Sequence, residues 1–204
     1  MAKKDDRMFS KDDVVTPVGR LSYPAFIKPR EQDKGDPKFG CSILFPKDSD
    51  FTGIGEAIKN LAMAKWNGEK KKSDLWPTLK DGDEYYNSAT SDTEKAQREN
   101  YKGMMFIQFR SKKPFVLRGA DGKSELAPEK FYAGCNVRAK IGFCTYEGTK
   151  LTDMKDGIRI ICRGIQFYGD NERFGHETVF DAAPEAAPKE PDFGDDNNND
   201  EFDW

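Results

Sequence analysis

Cys135-Asn136-Val137-Arg138-Ala139-Lys140-Ile141-Gly142-Phe143-Cys144-Thr145-Tyr146 is the most regular stretch of this 204-residue chain. Successive side chains of an extended backbone point to opposite sides, so Cys135, Val137, Ala139, Ile141 and Phe143 share one face. Asn136, Arg138, Lys140, Cys144 and Tyr146 share the other. The stretch is predicted to be a strand with a buried face behind and a basic, aromatic face in front.

The same period recurs on both sides of it. Downstream, Ile158, Ile160 and Cys162 are in phase, and Ile165 and Phe167 continue out of phase with Arg163-Gly164 at the change. A slip of this kind predicts a β-bulge. Upstream, Phe39, Cys41, Ile43 and Phe45 alternate, as do Met105, Ile107 and Phe109. The second of these runs is expected to continue as β through Ser111 to Leu117, into a hairpin-like turn at Gly119-Ala120-Asp121-Gly122. Val14 to Phe26 is rich in β-formers but broken by Pro17 and Gly19, which predicts a long, bent or edge-exposed first strand.

One helix is predicted, over Ile54 to Trp66, from the spacing of Ile54, Ala57, Ile58 and Leu61 behind the capping candidates Asp50 and Thr52. Lys80 to Tyr101 reads as a long loop with a helical turn at Thr93 to Arg98. Five or six strands with one inserted helix and long loops predict a mainly β domain, an OB-fold-like barrel. An immunoglobulin-like sandwich is the structural alternative. The expected organisation is a flexible N-terminus over residues 1–13, a barrel over 14–180 and a disordered acidic tail over 181–204.

The charge is segregated. Of 36 acidic and 33 basic residues, nine acids and one base fall after position 180, so the tail carries −8. The preceding 180 residues, with 32 bases and 27 acids, carry +5. The tail is rich in Pro, Ala, Asp and Asn and cannot bury enough surface to offset its ordering entropy. Phe202 and Trp204, large apolar side chains set in acid, are candidates for docking a partner.

Several function classes are excluded at this level. No apolar run approaches the ~18 residues of a membrane span, and Met1 to Arg7 has no apolar stretch behind its basic residues, which predicts an intracellular location. Cys41, Cys135, Cys144 and Cys162 form no C-x-x-C pair and are expected to be buried free thiols. His176 is the single histidine and is a poor base for a hydrolytic triad. Asp192-Phe193-Gly194 matches a kinase triplet without the other kinase motifs, and Gly53-Ile54-Gly55 lacks the third glycine of a dinucleotide loop.

What remains is an interleaving of cations and aromatic rings. Arg20, Tyr23, Phe26, Lys28 and Arg30 come early, Arg110, Lys112 and Lys113 midway, and Arg138, Lys140, Tyr146, Arg159 and Arg163 late. Cations neutralise phosphates and aromatic faces stack bases without reading them, which is the pairing a single-stranded nucleic acid requires. The rival readings are a metal-dependent nuclease using Asp81, Asp83 and Glu84, and a protein-interaction module.

A resemblance adds to this. GRLSYPAFIKPREQDKGDPKFGCSILFPK (19–47), LKDGDE (79–84), FYAGCNVRAKIGFCTY (131–146) and DGIRIICRGIQFYGDNERFG (156–175) together resemble the bacteriophage single-stranded DNA-binding proteins of OB-fold type. The acidic, aromatic-ended tail is similar to those of replication-type single-strand binders. The resemblance implies a non-enzymatic protein without cofactor, coating single-stranded DNA in phage replication and recombination in the cytoplasm of the infected host cell. Replication or recombination proteins are the expected partners of the tail, through Phe202 and Trp204.

Overall fold

The computed structural model describes residues 7–32, 35–70, 78–148 and 156–175. His176 and the acidic tail with Phe202 and Trp204 lie outside them. The elements in chain order are β1 (Val14–Val15), β2 (Gly19–Arg30), β3 (Lys38–Pro46), α1 (Thr52–Trp66), β4 (Lys80–Asp81), α2 (Gly82–Asn87), α3 (Asp92–Arg98), β5 (Met104–Ser111), β6 (Leu117–Arg118), β7 (Asn136–Tyr146) and β8 (Gly157–Gly169). The strands form one sheet in the order β4-β5-β3-β2-β7-β8-β6, with β1 also on β7.

The sheet curls on itself. After β5 the chain breaks at Lys112 to Val116, around Pro114, and returns as β6, which pairs in parallel with the far edge, Leu117 opposite Ile165. The predicted continuation through Ser111–Leu117 is therefore two strands, and the second closes the barrel. Strands β2, β3, β5, β7 and β8 take the five places of an OB barrel. Inside lie the inward faces that alternation assigned: Ile43, Phe45, Ile107, Val137, Ala139, Ile141, Phe143 and Ile165 are all fully buried, and Leu21 of β2 joins them. The helix α1 packs Ile54, Leu61 and Trp66 into the same core.

The phase slip in β8 is a bulge. Lys140 pairs with Gly164 but Ile141 with Cys162, so Arg163 is the extra residue. A second bulge lies near the strand's end, where Val137 faces Phe167 and Asn136 faces Gly169, which leaves Tyr168 unpaired. The four cysteines are free, three buried and Cys162 partly so.

Two expectations are corrected. The segment before Val14 is not a free terminus in its described part: Thr145 donates to the Met8 carbonyl, Ser10 to that of Phe143, and Phe9 bridges Cys144. The strand pairing that holds β1 on β7 thus extends back to Met8. The region 80–101 is not a loop with one helical turn, and the barrel does not carry a single inserted helix. It folds as β4, α2, α3 and a 3-10 turn over Glu99–Tyr101. Asp81 caps α2 by accepting from the amides of Asp83 and Glu84, and Ser91 caps α3 by accepting from that of Glu94.

Candidate nucleic-acid interface

The helical insertion forms a roof over the outer face of β3 and β5. Tyr101 carries it: its ring packs against Tyr85 and Phe106 at centroid distances of 5.0 and 4.9 Å. Burial pushes its phenol pKa up, against the hydrogen bonds it makes with Ser22 and Ser42 below it. The contact is close because Gly82 has no side chain. A Cβ there would lie 2.0 Å from the Tyr101 carbonyl oxygen. This roof explains why Cys41 to Phe45 are buried on both faces, where alternation predicts one.

Beside the roof a groove of about 300 Å³ opens between β2, β3, β5 and α3. Tyr23 stands at its edge. The register of β2 against β3 shifts between Ser22 and Ala25, and at this irregularity Tyr23 takes a left-handed φ of 48°. For a non-glycine residue that costs about 1–2 kcal/mol. The ring is 41% exposed, and its hydroxyl donates to the Gln97 carbonyl at the end of α3, 2.6 Å away. The Arg30 guanidinium lies over the ring, 5.7 Å from its centroid, and donates to the Tyr23 carbonyl.

Cations line the rest. Arg110 projects outward from β5 beside Gly40 of β3, and Lys38 opens β3. Among the described residues neither is in a salt bridge, although Lys38 lies within the field of Asp36. Arg98 stacks 4.2 Å over Tyr85 and is held by Glu94 and the Tyr85 carbonyl. Glu31 and Glu94 are the acids of the lining. Next to the groove, Lys80 has its pKa lowered by burial first and by the Arg110 charge second. An anion bound there would relieve that repulsion. The surface is thus a basic trough with an exposed aromatic edge, on the second and third strands that OB folds use for oligonucleotides.

The other residues singled out from sequence are scattered. Phe26 is a core residue, 6% exposed, set edge-on to Phe115 and Phe131; a ring so enclosed cannot stack a base. Arg20 is engaged in structure, 4.3 Å over the Phe174 ring and donating to the carbonyls of Gly134 and Glu172. Lys112 is paired with Asp36. Lys28, Lys113 and Arg159 are exposed outside the groove lining. Arg138, Lys140 and Arg163 gather on the outer face of β7 and β8. Tyr146 does not join them: eight residues of strand separate it from Arg138, about 26 Å, and it is half-buried, with its pKa raised by that burial.

Lys38, Tyr85, Arg98 and Gln108 line the groove and were not singled out from sequence. Tyr85 and Arg98 sit in the insertion read as a loop; the capping residues Asp81 and Ser91 were the available signal.

Two of the three carboxylates of the nuclease reading, those of Asp81 and Asp83, are committed elsewhere. Lys47 bridges Asp81 and Asp83 at 2.9 and 2.6 Å, and Asp83 also accepts from the Gly103 amide. The Lys47 contacts hold both carboxyl pKa values below the usual range. These acids fasten the roof rather than present an open ligand set. Among the described residues no group of acids, His or Cys is placed to hold a metal, and no helix is long and apolar enough to cross a membrane.

A family model described as the ssDNA-binding protein of Enterobacter phage Enc34 matches residues 12–202. The single-stranded DNA-binding protein from bacteriophage Enc34, solved in complex with ssDNA, is 24% identical, with 86% of this chain and 97% of that one covered and a TM-score of 0.57. Its C-terminal truncation is 22% identical over 85% and 95%, also at 0.57. Bacteriophage T7 gp2.5, a single-stranded DNA-binding protein, is 12% identical over 84% and 99%, at 0.51. At these identities the solved structures show a common fold. No curated protein matches the chain.

Proposed function

This chain belongs to the family of the Enterobacter phage Enc34 ssDNA-binding protein, and from that membership we propose that it is a non-enzymatic, largely sequence-independent binder of single-stranded DNA whose strand lies in the β3–β5 groove. The observation that carries the placement is Tyr23, held outward at a strained backbone position beside Arg30, with Lys38 and Arg110 across the trough. A side chain kept exposed at such a cost, in reach of cations, fits stacking on a base between phosphate contacts. The role is coating single strands during phage DNA replication and recombination.

Fluorescence anisotropy of labelled oligo(dT) and of a duplex, over a range of salt, tests this. Affinity for the single strand should exceed that for the duplex and fall with salt. Arg30→Ala with Arg110→Ala should flatten the slope of log affinity against log salt by about 1.4, at roughly 0.7 for each phosphate no longer neutralised. A slope unchanged in the double variant would remove those residues from the interface, and equal affinity for duplex would remove the single-strand reading.

The tail completes the proposal. With −8 against +5 on the body, it competes with DNA for the groove and presents Phe202 and Trp204 to replication or recombination proteins. Deleting residues 181–204 should raise single-strand affinity at low salt, and the gain should shrink as salt screens the charges. Phe202→Ala with Trp204→Ala should abolish capture of the partner while leaving DNA affinity as it was. Unchanged low-salt affinity on deletion would leave the tail only a solubilising segment.

A further inference from the structure

The outer face of β7 and β8 carries a second basic surface, built by the two bulges of β8. The first bulge residue, Arg163, and the second, Tyr168, are both exposed next to the outward cations of β7. Arg138 lies 5.4 Å from the Tyr168 ring centroid and donates to Gln166. Lys140 follows two residues on, about 6.6 Å along the strand. Bulges that re-aim side chains gather at functional surfaces, and neither Arg163 nor Tyr168 contributes to the core.

At the centre of this face an anion is already bound, and it belongs to the chain itself. The Asp13 carboxylate contacts Arg163 at 3.2 Å and Lys140 at 3.6 Å. It occupies a notch that exists because position 142 is glycine. A Cβ there would lie 2.9 Å from the Asp13 oxygen and 3.2 Å from the Arg163 guanidinium. Two cations converging on one oxyanion, with an exposed ring beside Arg138 between three and four strand positions from Lys140, about 12 Å along β7, is an arrangement that a phosphate and a base further along the same strand would use.

We propose that this face is a second single-strand contact, resting on the reading of the chain as a single-stranded DNA-binding protein. In it Lys140 and Arg163 take a backbone phosphate where Asp13 now lies, and Tyr168 stacks a base one or two nucleotides further along the strand. Asp13 is an internal competitor that weakens the contact. A strand reaches the face only when it extends beyond the groove. The exposed tyrosine favours nucleic acid over an acidic peptide, which would need the cations alone.

Anisotropy with the full chain tests it, using an oligo(dT) of about 8 nucleotides, within the span of one OB fold, and one several times longer. Asp12→Asn is the control, removing the same charge from the neighbouring exposed position. Asp13→Asn should raise affinity for the long strand about 3- to 10-fold more than Asp12→Asn does, steepen its salt slope by up to about 0.7, and leave the short strand unaffected. Tyr168→Ala should weaken the long strand alone. Equal effects of the two Asp variants, together with no effect of Tyr168→Ala, would overturn the proposal. So would a gain from Asp13→Asn for an isolated peptide of residues 181–204 with none for DNA, which would assign the face to acidic protein. If the unaltered protein binds neither oligonucleotide, it is the function itself that fails.

Discussion

Replacing Phe26 by Ala is expected to lower the unfolding free energy by about 3–5 kcal/mol and to leave the DNA affinity of the folded molecules unchanged. The ring is 6% exposed and meets Phe115 and Phe131 edge-on at 5.6 and 5.7 Å; Phe131 in turn meets Phe167 at 5.9 Å. Removing it opens a cavity bordered by rigid rings that cannot collapse to fill it. Urea unfolding measures the stability, and anisotropy under conditions where the variant is folded measures the affinity. Lost affinity with intact stability would return Phe26 to the interface.

Tyr23, three residues earlier, is expected to behave in the opposite way. Tyr23→Ala should weaken single-strand binding by about 1–3 kcal/mol, with similar losses for different base sequences. Its effect on stability should be small, because the ring is 41% exposed and is tied down by one hydrogen bond, to Gln97. Tyr23→Phe keeps the stacking face and should bind close to normally. Tyr23→Gly relieves the left-handed strain and should regain about 1 kcal/mol of stability relative to the Ala variant while binding no better. A fall in melting temperature with unchanged affinity in the Ala variant would place Tyr23 among the supporting residues and not in the site.

The contrast between these two aromatics locates what a sequence can carry. Where a strand is regular, as in Val137 to Phe143, period two fixes the inward set, and the slip at Arg163-Gly164 announces its bulge. Leu21 and Tyr23 share a parity, yet the first is buried and the second exposed, because β2 shifts register between Ser22 and Ala25; that break, and not the alternation, puts Tyr23 at the groove while Phe26 enters the core. Tyr146 fails for a different reason. Parity places it on the same side as Arg138, but a long strand separates residues of one parity by many ångströms. The roof was missed because α2 and α3 have six and seven residues, too few turns for a helical period to register. Their evidence was in the caps, Asp81 and Ser91, and in Gly82, whose missing side chain matters only once Tyr101 is seen above it. The pairing of Met8 and Ser10 with β7 had no sequence signal, since backbone amides and carbonyls make it.

Ultraviolet cross-linking of a short oligo(dT) to the intact protein, with the modified residues mapped by mass spectrometry, tests the groove most directly. The account predicts adducts on the aromatic lining, first at Tyr23 and then at Phe39 or Tyr85, all bordering the trough between β2, β3, β5 and α3. Tyr23→Ala should remove the main adduct. Adducts confined to residues outside that lining, with none at Tyr23, would contradict it.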